Sequence, residues 1–287
     1  MGTPFVFWKR FLWLFFLIVL LVTQASATLA GDDTNDPDDL TFTLTPYLWL
    51  PSIGGNLNLP VPAGSTGAPS SSINMDADDL LDDLEMVFVM EMELRKERWF
   101  FAADFIYMDI SDSAGKVKSI DFGGSRVKTT LDIGTDMELK SFVTTFGGGY
   151  QIVDREWLQM GIFLGARYLW MEADVNWNLS ATVTGPLASH TFARTGSLKE
   201  SGDVWNGVGG VRGRFRLGDS HWFIPFYGDI GTGDSDLTWQ VFAGISYSFG
   251  SWDIDLGWRY LEFDSGSDDF IEELDMSGPI LGARIRF

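Results

Sequence analysis

Residues 153–170, VDREWLQMGIFLGARYLW, decide how this chain is read. A polar turn, Asp154-Arg155-Glu156, runs straight into Trp157, and an alternating run follows. Leu158, Met160, Ile162, Leu164, Ala166, Tyr168 and Trp170 share one face, while Gln159, Gly161, Gly165 and Arg167 share the other. A period of two marks a β-strand with unlike faces. The apolar face ends in tyrosine and tryptophan, the residues that settle at a membrane–water boundary. A soluble antiparallel sandwich alternates too, but has no reason to place large aromatics at both ends of its apolar face.

The same turn-to-tryptophan step recurs three times, as RKER before Trp99, LGDSH before Trp222 and FGS before Trp252. Each turn joins two alternating runs, whereas the connections at the other end differ widely in length. Tight turns on one side and variable loops on the other predict an all-β, antiparallel, up-and-down transmembrane β-barrel. Its strands are expected at about 40–50, 84–95, 98–111, 136–153, 156–175, 204–217, 221–231, 237–249, 252–263 and 274–287. Ten is the expected count, with eight and twelve as alternatives. Twelve would require Lys116–Asp121 and Arg126–Asp132 to span, and neither face of either run is apolar enough for lipid. Trp99, Trp157, Trp222 and Trp252 would form one aromatic girdle, with Trp170 and Trp239 in the other. Two details resist. Both faces of the third strand are apolar, and Trp157 itself falls on the inward phase.

An even strand count puts both termini on the short-turn side, which would be the periplasm. The long connections, roughly 51–83, 112–135 and 176–203, would face outward from the cell. The N-terminus supports export. Lys9 and Arg10 precede an apolar run from Phe11 to Val22, and Ala25-Ser26-Ala27 offers small residues for cleavage. That is the form of a secretory signal peptide over residues 1–27, too short in its apolar part for the roughly twenty residues of a spanning helix. Residues 28–39 are then a polar periplasmic lead-in, and the barrel occupies 40–287.

Composition excludes several function classes. The chain carries 20 Lys+Arg against 40 Asp+Glu, a net charge of −20, which argues against nucleic acid as a partner because phosphate neutralisation needs basic surface. With no cysteine there is no disulfide framework and no thiolate metal site. Outer-membrane lipid and lipopolysaccharide are the expected surroundings, and no cofactor is expected.

The chain closes on GPILGARIRF, with Phe287 terminal, Ile285 two before it and Gly282 five before it. This resembles the C-terminal signal read by the outer-membrane assembly machinery, with Ile285 where an aromatic is commoner. Together with TPYLWLPSIGG at 45–55, GDSDLTW at 233–239, WRYL at 258–261 and SGPILGARIRF at 277–287, it makes nearly all of 40–287 resemble a family of small Gram-negative outer-membrane proteins. That family belongs to the broad barrel group of outer membrane protein A and the opacity proteins. The resemblance implies a porin-like barrel in the cell envelope, and no activity. Outer membrane protein A has eight strands and a peptidoglycan-binding domain; here the expectation is ten strands ending at Phe287, without peptidoglycan anchoring.

The inward phase collects Glu91, Glu93, Asp104, Asp229 and Asp255 against Arg167, Arg212, Arg214, Arg259 and Arg284. Such a balanced set either lines an ion-selective pore or cross-ties a packed lumen, because unpaired charge inside is costly. The packed reading is preferred, since barrels of this size are filled by side chains. Acidic runs at Asp76, Asp78, Asp79, Asp82 and Asp83, and at Asp264, Asp268, Asp269, Glu272 and Glu273, have oxygen donors for Ca²⁺ but no EF-hand spacing, and solvated loops explain them as well. Catalysis has a thin basis: the two histidines are His190, beside Ser189 with Ser197 and Glu200 nearby, and His221 in a turn. The expected role is therefore structural or a surface interaction through the long loops, with a narrow solute channel as the alternative and a lipid- or peptide-hydrolysing barrel behind both.

Overall fold

The computed structural model describes residues 40–58, 70–77, 80, 84–112, 133–184, 189–266 and 270–287. Its strands are β1 (Thr41–Trp49), β2 (Ser52–Asn58), β3 (Ser70–Met75), β4 (Leu84–Lys96), β5 (Trp99–Asp112) and β6 (Ile133–Asp154). They continue as β7 (Leu158–Thr184), β8 (Ser189–Arg216), β9 (Trp222–Gly233), β10 (Leu237–Ser248), β11 (Trp252–Asp264) and β12 (Ile271–Arg286). From β4 to β12 each strand pairs antiparallel with the next, β4 also pairs with β1, and β1 pairs with β12. The sheet closes on itself as a ten-strand transmembrane β-barrel of the outer-membrane type. Closure leaves no sheet edge in lipid, which cannot hydrogen-bond a bare backbone. The last rung is Phe287, whose N–H donates to the Phe42 carbonyl at 2.8 Å while the Phe42 N–H returns a bond at 3.3 Å.

The two faces invert the soluble rule. Leu164, on the outward phase of β7, is 77% exposed, whereas Arg167 on the inward phase is wholly buried. Ile162, Val241, Leu256, Trp258 and Phe101 are likewise exposed outward. At the short-turn end Trp99 packs edge-on against Tyr150 and Trp222 against Tyr247, and Phe249 stacks on Trp252. At the opposite end Trp239 stacks on Tyr260 and Tyr168 lies against Trp205. Trp157 departs from its inward reading. It lies in the turn before β7, outside the alternation, and its ring meets outward Phe215 at 5.8 Å. In β5 the ambiguity also resolves: Ile106, Met108 and Ile110 are buried, while Trp99 and Phe101 are exposed.

Two expectations about the connections change. Residues 176–184 and 189–203 are strand rather than loop, because β7 and β8 stay in register up to the pair Thr184 and Ser189. Counted from Trp170 at the girdle, the hairpin extends by roughly 45 Å along the strand at about 3.3 Å per residue. In the first connection, β2 continues the line of β1 along β12 after a break at Leu50-Pro51, and β3 folds back on β2. The wall is thus wider at that end than at the turns. The hairpin read at Lys116–Asp132 lies outside the described residues, as do the signal peptide and lead-in.

Candidate lumenal site

The inward side chains form three layers. Nearest the short turns lies a cavity of about 420 Å³, which reaches the rim at Glu97 and Asp154. Phe100 shapes it. Its ring lies over β6 and β7 where Gly149 and Gly161 leave room; a Cβ there would come within 2.2 and 2.7 Å of ring atoms. On this ring stand the guanidinium groups of Arg95 and Arg212, each 5.5 Å from its centroid. Arg212 pairs with Glu91 at 2.6 Å and Glu93 at 2.9 Å, and Arg95 pairs with Glu93 at 2.8 Å. Arg95 also donates to Gln151. Arg284 reaches Asp255 at 3.3 Å, and Arg286 holds Asp253 with both terminal nitrogens, at 2.6 and 2.8 Å.

At the inner end of the cavity the polar groups are largely buried. Arg167 donates to Thr145 at 3.0 Å, Thr238 at 2.9 Å, Gln240 at 3.2 Å and Asp229 at 2.5 Å, and both members of the Arg167–Asp229 pair have fully buried side chains. Tyr227 donates a further bond to Asp229. Beside this network Arg259 donates to the Tyr47 hydroxyl at 2.6 Å and to Asp104 at 3.1 Å, while Tyr47 donates to Asp104 at 2.5 Å. The Arg259 guanidinium lies 4.9 Å from the Tyr47 ring and 5.3 Å from that of Trp49. Charge-assisted bonds of this kind offset part of the cost of removing guanidinium and carboxylate from water.

The third layer is apolar. Trp49, Ile106, Met108, Val143, Leu169, Met171, Leu261 and Phe263 pack in one buried cluster, joined by Ile53 of β2 and by Leu80 from the first connection. Alternation alone did not reveal it, because inward apolar residues here lie opposite outward apolar ones.

Of the ten inward charges named from the sequence, nine are joined in four groups: Arg167 with Asp229, Arg212 with Glu91 and Glu93, Arg259 with Asp104, and Arg284 with Asp255. Arg214 is not among them. It donates through Nε to Gln159 at 2.6 Å and rests 5.7 Å from the Phe223 ring, with no carboxylate within ion-pair distance among the described residues. Arg95, Asp253 and Arg286 were missed, although strand phase puts them inward. The assembly residues lie along the β1–β12 seam. Gly282 lines the cavity beside Tyr47, Ile285 is buried on the outward phase opposite Leu44 and Trp252, and the Phe287 ring lies 5.8 Å from Phe42.

The motifs that carried the family resemblance prove structural. WRYL supplies Arg259 and Leu261, and TPYLWLPSIGG supplies Tyr47 and Trp49 around that arginine. In GDSDLTW, Asp234 accepts from the Trp205 amide at 2.8 Å, and Ser235 receives a bond from Asn206 at 3.1 Å.

Among the described residues no group of three His, Asp or Glu side chains is arranged to hold a metal. Asp78, Asp79, Asp82, Asp83, Asp268 and Asp269 lie outside the described residues. His190 and Glu200 are ten positions apart on one strand, roughly 33 Å at the strand rise, so the hydrolase constellation is not assembled by those two.

No protein-family model and no curated protein matches the chain. Solved structures do. The outer membrane protease OmpT from Escherichia coli aligns at 10% identity over 89% of this chain and 99% of its own, with a TM-score of 0.46. Ail, the attachment invasion locus protein of Yersinia pestis, aligns at 12% identity over 87% and 99%, with a TM-score of 0.31. The Pseudomonas toluene transporter TodX (P. putida) aligns at 10% identity over 88% and 91%, with a TM-score of 0.30. At these values the likeness adds nothing to what the sheet topology already establishes.

Proposed function

We propose that this chain is an integral protein of a Gram-negative outer membrane whose lumen does not conduct, and which acts through the hairpins it projects beyond the girdle. The observation that supports this is the apolar cluster across the lumen at Val143, Leu169, Leu261 and Phe263, lying above the buried Arg167–Asp229 pair. An ion would have to cross a buried layer built mainly of aliphatic and aromatic side chains, and the desolvation cost of a bare charge there is large. The β7–β8 hairpin, much longer than β9–β11, supports a surface role. The partners that accompany this reading are lipid and lipopolysaccharide around the belt, and the assembly machinery engaging the C-terminal strand during insertion.

Planar-bilayer recording of purified wild type checks the proposal. No steady unitary current is expected beyond baseline. Large, stable openings would overturn it in favour of a solute channel entered through the 420 Å³ cavity.

A further inference from the structure

We propose that the cavity at the short-turn end is a binding site for a small soluble oxyanion, a phosphate or carboxylate group anchored by Arg214. Six arginines line this cavity: Arg95, Arg212, Arg214, Arg259, Arg284 and Arg286. Five have a carboxylate within 4 Å, and Arg214 alone has none among the described residues.

Its setting is built rather than accidental. Gln159 accepts a hydrogen bond from Nε at 2.6 Å, and the guanidinium carbon lies 5.7 Å from the centroid of the Phe223 ring. Both terminal nitrogens remain without a partner among the described residues. A guanidinium held through Nε presents its remaining N–H pairs as a fork that fits two oxygens of a carboxylate or phosphate. Arg284, Arg286 and Arg216 lie close enough to act on it electrostatically, and Asp253, which opposes them, is already held by both nitrogens of Arg286. An anion entering here meets a cation that has no carboxylate partner among the described residues, and it breaks no existing ion pair, since Arg284 and Arg286 stay with Asp255 and Asp253. The volume lies within the range of small-molecule pockets, and the Glu97–Asp154 rim admits solutes from the side of the short turns. This inference goes beyond the non-conducting reading and survives its failure, because it concerns one end of the lumen only.

The test uses the full mature barrel in a phosphate-free detergent at low ionic strength, titrated with inorganic phosphate and, separately, with citrate. Wild type should show saturable binding by calorimetry and a rise in melting temperature for at least one of these anions. Arg214→Gln should weaken binding at least about tenfold while its ligand-free melting temperature stays unchanged, since no ion pair is lost. Lys199→Gln, an exposed cation farther along β8 that does not line the cavity, should bind as wild type does. Equal binding by wild type and Arg214→Gln would overturn the site, as would absence of saturation by both anions. Stabilisation by phosphatidylglycerol in the micelle with none by inorganic phosphate or citrate would overturn it too, in favour of a lipid headgroup.

Discussion

The two ends of the lumen are made by the same ten strands in the same alternation, yet they are filled in opposite ways. Toward the short turns, the inward phase holds arginines and carboxylates around a 420 Å³ cavity; toward the long hairpins, it holds a close-packed apolar core. The contrast shows that a β-barrel of this size can carry a soluble-type core inside its wall and a lipid-facing belt outside it. Strands such as β5 are then apolar on both faces for two different reasons, with Ile106 and Met108 facing the core and Phe101 facing lipid. The Arg167–Asp229 network lies where the two regimes meet.

That boundary is where the comparison can be broken most forcefully. Arg167→Ala leaves Asp229 buried without its cation and should cost about 3–5 kcal/mol, read as a lower denaturant midpoint in detergent. A companion Arg167→Met/Asp229→Leu variant should recover part of that loss, since the buried charge is gone while Gln240 and the Tyr227 hydroxyl still lack their partners. If Arg167→Ala unfolds at the wild-type midpoint, water reaches this layer and the division into wet and dry halves fails.

Within the dry half, Phe263→Ala removes a ring with no measurable exposure and leaves a cavity its neighbours cannot close. A loss of about 3–4 kcal/mol is expected from the same denaturation curve. A much smaller loss would mean that the apolar end is loosely filled. The wet half should respond least. Arg284 is 21% exposed, and its partner Asp255, 5% exposed, also accepts from Ser246 at 2.5 Å; Arg284→Ala leaves the carboxylate that donor and opens it to the cavity it lines. About 1 kcal/mol is expected, as for pairs that solvent screens. A loss as large as that of Arg167→Ala would show that the cavity excludes water and that the two halves are energetically alike.

Much of the barrel was legible because its signals are local. Strand ends at the short turns, the outward girdles and the inward phase of all ten named charges follow from period-two alternation, which any window of eight residues displays. The misreadings also have local causes. Residues 176–203 look like loop because both faces are polar once a strand leaves the membrane, while the backbone pairing with residues on the opposite arm persists in water. Trp157 was assigned by counting back from β7, but the turn residues before Leu158 do not obey the strand period.

The sequence alone determined that this chain alternates, that its outward faces suit lipid and that its inward faces carry matched charge, because each of these is a property of neighbours along the strand. Only the tertiary structure decided which charges meet. Arg212 finds Glu91 across 121 residues, and Arg259 finds Tyr47 across 212. It alone set the height at which the lumen turns from polar to apolar, and left Arg214 without a carboxylate among the described residues. The physical reason is that strand phase fixes the face of a residue, whereas strand tilt and register fix its level and its partner across the barrel, and those depend on all ten strands closing together.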